Sequence, residues 1–168
     1  LDVTFLVAAD THVGFAASET AADGSPRDPV TEPAESDRIN ARQIRAMNSL
    51  PGRPLPIETG GHVPPRGLPG VVGVPRGVLI AGDLTEDGKP WQWSHFVTWY
   101  GLTGGDGQLR YPVFESNGNH DKHHSWYTLD RIRERHGDTR YAFDWDDLRV
   151  VCLGEAPDEA GLAFLESD

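Results

Sequence analysis

Three short apolar runs, VTFLVAA (3–9), VLIA (78–81) and VFES (113–116), are rich in β-branched residues and show little alternation. That pattern predicts strands covered on both faces rather than half-exposed ones. Each run passes straight into a polar cluster: DTH at 10–12, GDL at 82–84 and NGNHD at 117–121. In open α/β sheets ligands bind beyond the carboxyl ends of strands, so three strands with the same kind of ending predict one shared site.

Helical spacing appears between these runs. Over 35–50, Ile39, Ala46, Met47 and Leu50 recur on one face, with Ser36 or Asp37 as N-cap and Pro51-Gly52 as stop. Over 89–102, Trp91, His95 or Phe96, and Trp99 share a face, and over 125–137 Trp126, Leu129 and Ile132 do so, with Gly137 as C-cap. The runs YAFDW and LRVVCL around Asp146-Asp147 predict a β-hairpin. Residues 51–77 are dense in Pro and Gly without a sustained period, which predicts a long insertion loop. Residues 101–109 read as a connector, because they lack the ending of a phosphate loop and follow a helix. From 156 onward Pro157, an acidic first turn, Leu162 and Leu165 predict a helix, which reaches Asp168 with no stop signal or following strand. The chain therefore reads as cut, not finished.

A length of 168 residues suits one domain with a sizeable core. The net charge of -11, from 26 acidic and 15 basic side chains, repels a polyanion over most of the surface and excludes extended tracking along nucleic acid. A small or locally recognised substrate is expected instead. No apolar stretch approaches the roughly 20 residues that span a bilayer. The N-terminus opens almost directly in a strand, so a cytoplasmic chain and an exported one whose leader was removed are both compatible with it. The single cysteine, Cys152, lies in an apolar run and is expected to be a buried thiol.

The polar clusters carry the chemistry. Carboxylate oxygen and imidazole nitrogen suit zinc, manganese and iron. Asp10 and His12, two residues apart at a strand end, can be aimed at one ion by a small turn. Asp83 is then placed to bridge to a second ion bound through Asn119. A pair of such ions activates water and stabilises the attacking and leaving oxygens at phosphorus. The order D-x-H, G-D, G-N-H-D resembles the calcineurin-like metallophosphoesterase family. The resemblance implies an α/β fold of the metallophosphoesterase type, an αββα sandwich of mixed sheets flanked by helices, incomplete at the C-terminus. It implies two divalent or trivalent ions (Mn, Fe or Zn) held by Asp10, His12, Asp83 and Asn119, and hydrolysis of phosphate mono- or diesters. It also implies that His120 is the catalytic histidine that protonates the leaving oxygen, oriented by Asp121 or Glu86.

Two departures from the family pattern stand out. Glu86 occupies the place where the tyrosinate-ligated branch carries Tyr, and no histidine follows His136, so the later His and G-H-x-H of the family are missing. The 168 residues are expected to be the N-terminal portion of one such domain, needing a C-terminal half for full metal ligation. The alternative is a truncated, non-catalytic metal-binding or interaction module. His123 and His124 are candidates for substrate contact or for a solvated helix start; His62 and Arg27, Arg53, Arg66 and Arg76 lie in loops between DTH and GDL, where solvation is the simpler role.

Overall fold

The strand β2 (Val78–Ala81) is the middle member of a three-stranded parallel sheet, paired with β1 (Leu6–Ala8) on one side and β3 (Val113–Ser116) on the other. Val78 aligns with Leu6 and with Val113, so the apolar runs meet in register. The computed structural model describes residues 3–16, 20, 25, 35–55, 70–156 and 158–168; His62, Arg27, Arg66 and Pro157 lie outside them. Helix α1 (Glu35–Asn48) lies between β1 and β2 in the chain, and α2 (Pro90–Tyr100) between β2 and β3. Helix α3 (Tyr127–His136), an antiparallel hairpin of β4 (Tyr141–Trp145) and β5 (Leu148–Cys152), and α4 (Glu159–Ser167) follow. The result is a mixed α/β fold.

β1 is shorter than the run 3–9 suggests, because ladder pairing covers only Leu6–Ala8. The helical faces also turn from those expected. On α1 the buried residues are Ser36, Asn40, Ile44 and Met47, while Ile39 is 54% exposed and Ala46 faces solvent. Ser36 is inside the helix rather than its cap. On α2 the buried set is Gln92, Trp93, Phe96 and Tyr100, with Trp93 stacked on Phe96 and Phe96 on Tyr100 at ring separations of 5.4 and 5.1 Å. On α3, Leu129 and Ile132 enter the core but Trp126, just before the helix, is 58% exposed. Gly137 terminates α3 as expected, at φ 87° with its N–H donated to the Arg133 carbonyl. In α4 Asp158 caps the helix by accepting from the Gly161 N–H, and Leu162 and Leu165 stay exposed. Cys152 is half-buried, its Sγ 3.7 Å from the Thr139 carbonyl, not sealed in the core.

The hairpin covers β3 through aromatic contact. Phe114 stacks on Phe143 at 4.1 Å and meets Trp145 edge-on at 5.3 Å, and the Tyr141 hydroxyl donates to the Glu115 carbonyl at 2.9 Å. The Glu115 carboxylate is fully buried; Arg135 of α3 pairs with it and also donates to the carbonyls of Leu102 and Val113. A buried charge is tolerable only with such a partner, so this pair fixes α3 against the strand.

Residues 101–107 fold around Asp106, whose carboxylate accepts from the N–H groups of Leu102 and Thr103 and from the Thr103 hydroxyl. Burial acts to raise its pKa, but these donors outweigh it and hold the carboxyl down at about 2. Because the folded value is depressed, the stability it contributes is present above the ordinary value of 3.8 and is lost as pH falls toward 2. A carboxyl 13C titration should find the Asp106 midpoint near the lower figure; a midpoint at the ordinary value would remove this turn-locking role.

Candidate metal centre

Parallel strands end on the same edge of their sheet, so the residues after β1, β2 and β3 emerge together. Beyond the strands the first two segments stay paired. The N–H groups of Asp10, His12 and Val13 donate to the carbonyls of Gly82, Asp83 and Leu84 at 3.1, 2.9 and 3.0 Å, and the Glu86 N–H returns to Val13 at 3.1 Å. The Thr11 hydroxyl adds a bond of 2.8 Å to the Leu84 carbonyl. The segment after β3 presses against this pair at Gly118, where any Cβ would lie within 2.5 Å of the Asp83 amide nitrogen. Only glycine fits there.

Asp10, His12 and Asp83 take left-handed backbone conformations, with φ of 54°, 39° and 48°. Among the described residues only Asp146, in the hairpin turn, is another non-glycine residue with positive φ. Each such residue costs on the order of 1–2 kcal/mol. Backbone strain of this kind gathers at sites where side-chain placement matters more than local comfort.

His12 shows what that placement achieves. Its Nδ1 lies 2.7 Å from Glu86 Oε2, and since a carboxylate only accepts, Nδ1 carries the proton. The neutral ring then presents an unprotonated Nε2, which faces Asp10 Oδ1 at 3.8 Å and Asp83 Oδ2 at 3.7 Å. A lone pair pointed at two carboxylates is repulsive unless a cation lies between them, either a second ring proton or a metal ion. The three donor atoms lie within 4.8 Å of one another. Donors on a zinc- or manganese-sized ion are separated by about 3.0–3.5 Å, so a small contraction would close the set. Glu86 acts as the outer carboxylate that fixes tautomer and ring orientation.

His120 opens a short 3-10 turn (His120–Lys122). Its backbone N–H donates to Asp83 Oδ1 at 2.9 Å, and its Nδ1 donates to the Glu86 carbonyl at 2.9 Å. The rings of His12 and His120 meet edge to face, 4.7 Å between centroids. Burial disfavours the charged imidazole, but the Glu86 carbonyl and the carboxylates of Glu86, Asp83 and Asp87 outweigh it and raise the His120 pKa above 6.5. Of the two residues expected to orient His120, Glu86 makes the contact. Asp121 turns the other way: its buried carboxylate accepts from the N–H groups of Leu84, Thr85 and Gly118 and from the Thr85 hydroxyl. It ties two loops together, and burial pushes its carboxyl above the ordinary range despite those donors. Asn119 is exposed, and its side chain forms no hydrogen bond among the described residues.

His123 and His124 gather around Asp87 rather than around the first group, at 3.7 and 3.4 Å from Oδ1. An anion there would face that carboxylate, so the geometry lends no support to the substrate contact expected of them. His95 lies edge-on to Trp91, a packing position, while His136 is stacked on Tyr141 at 3.8 Å and has its Nε2 3.4 Å from the buried Glu115 carboxylate.

Several supporting residues escaped the sequence reading. Asn40 donates to the Thr11 carbonyl at 2.9 Å and accepts from the Tyr100 hydroxyl at 2.6 Å. Ser36 Oγ accepts from the Gly14 N–H, and Gln92 Oε1 accepts from the N–H groups of Asp87 and Lys89. The spacing of Ser36 and Asn40, one turn apart and in line with Ile44 and Met47, was the available signal. A cavity of about 350 Å³ opens over Asp10, His12, Glu86 and His120, with Phe15 and Ile39 forming its apolar wall. Ile39 is therefore a cavity residue rather than a core residue.

Neither a protein-family model nor a curated protein matches the chain.

Proposed function

We propose that the chain carries the metal-binding and acid-catalytic part of a dinuclear, metal-dependent hydrolase of phosphate mono- or diesters, within a metallophosphoesterase-type sandwich. The observation that carries this reading is His12, locked on one nitrogen by Glu86 and aimed with the other at Asp10 and Asp83. The resemblance of the three motifs supports it, as does the packing of the hairpin over β3. Asp10, His12 and Asp83 would hold the first ion, and Asp83 with Asn119 the second. When bound, the ions would supply charge neutralisation at phosphorus and a more acidic water. The chain's own part is distinct. Glu86 fixes the His12 tautomer, and its carbonyl takes the His120 Nδ1–H, so that His120 in its imidazolium form has an Nε2 proton to deliver to the leaving oxygen and is left as the neutral ring.

A single-ion binding module is the second reading, favoured by Asn119, which is exposed and whose side chain makes no hydrogen bond among the described residues to hold it toward a second ion. The full-length gene product separates the two. Manganese-dependent hydrolysis of an aryl phosphate mono- or diester, lost in Asp83→Asn, is the expected result. Tight metal binding with no hydrolysis of either ester class would favour the binding module.

A further inference from the structure

A second group of donors lies beyond the centre described above. Asp87 is held from several directions. Its N–H donates to Gln92 Oε1 at 2.9 Å, its carbonyl accepts from the His124 N–H at 3.1 Å, and its Oδ2 accepts from Lys89 Nζ at 2.9 Å and from Gln92 Nε2 at 3.4 Å. That leaves Oδ1 toward two imidazoles: His123 Nδ1 at 3.7 Å and His124 Nε2 at 3.4 Å. The three donor atoms lie within 4.8 Å of one another, and the two rings are 4.3 Å apart between centroids. Both histidine side chains are more than half exposed, so an ion can reach them from solvent.

We infer that Asp87, His123 and His124 form a separate surface site for one borderline divalent cation such as Zn2+. Two imidazoles and one carboxylate are a preferred donor set for such ions, with remaining positions open to water. The carboxylate is oriented by groups behind it, as metal-ligating carboxylates are. Lys89 has two opposed effects: it holds Oδ2 in place, and its ammonium repels an arriving cation. The repulsion dominates, since Gln92 contacts Oδ2 as well. Lys89 therefore sets the affinity of this site below what its three donors allow.

The test uses zinc calorimetry on the untagged chain in an Asp83→Asn background, which takes the Asp83 carboxylate from the other centre while keeping an oxygen for the His120 N–H; any zinc left on His12, Glu86 and His120 is insensitive to substitutions at His123 and His124. That variant should still bind zinc. Adding His123→Ala and His124→Ala should weaken binding by at least about tenfold. Lys89→Met in the same background should tighten it. Zinc affinity unchanged by the histidine substitutions would overturn the site, as would no zinc binding by Asp83→Asn alone. Affinity unchanged or weakened by Lys89→Met would overturn Asp87 as a ligand. The Asp10, His12 and Asp83 group is tested independently by zinc binding to His123→Ala/His124→Ala with Asp83 intact.

Discussion

His120→Ala in the full-length product is expected to lower turnover by about 10²–10⁴ while leaving metal affinity within experimental scatter. The asymmetry follows from the ring's contacts. His12, Glu86 and His120 also lie close enough together to hold an ion, but the His120 Nδ1 is occupied by the Glu86 carbonyl, and the first ion is proposed to take Asp10, His12 and Asp83. Removing the imidazole takes away the group proposed to protonate the leaving oxygen but no donor of that proposed set. The bond from the His120 amide to Asp83 Oδ1 survives, since it is made by backbone. Steady-state kinetics on an aryl ester, paired with metal calorimetry, reads both quantities. Turnover equal to wild type would remove His120 from the chemistry; metal affinity lost along with turnover would make it a ligand instead.

Asp121→Ala should be the most damaging single change to stability, at about 3–5 kcal/mol. The carboxylate is fully buried and accepts from three backbone N–H groups and one hydroxyl. Each orphaned buried donor costs about 1–3 kcal/mol, less where water can enter the space left behind. Against the roughly 5–15 kcal/mol that holds a domain together, that is a large fraction. Asp121→Asn keeps one acceptor oxygen and turns an NH2 group toward donors, so it should fall between. Urea unfolding measures all three. A midpoint for Asp121→Ala close to wild type would mean that the loops after β2 and β3 hold each other without this carboxylate.

The strands and their endings were legible because they obey local rules. VLIA and VFES occupy the predicted residues, and DTH, GDL and NGNHD meet on one edge as parallel pairing requires. The hairpin was legible for the same reason, with Asp146 taking the positive φ its turn demands. Helix faces were less so. Ser36, Asn40 and Gln92 are polar, and a hydrophobic pattern assigns polar residues to solvent, yet each is buried against backbone groups of the site loops. Ile39 failed in the opposite sense, an apolar residue facing a cavity. Asp121 and Glu86 were both offered as orienters of His120, and only Glu86 touches its ring; the direction in which a carboxylate points is set by tertiary packing, which no spacing encodes.

Between α1 and β2 the described residues form a paired neck. The N–H groups of Gly52 and Leu55 donate to the carbonyls of Val72 and Gly70, and the Val72 N–H donates back to Arg53. This neck lies between the end of α1 and the start of β2. The neck thus ties the end of α1 to the approach to β2 through backbone bonds, none of which runs to Asp10, His12 or Asp83.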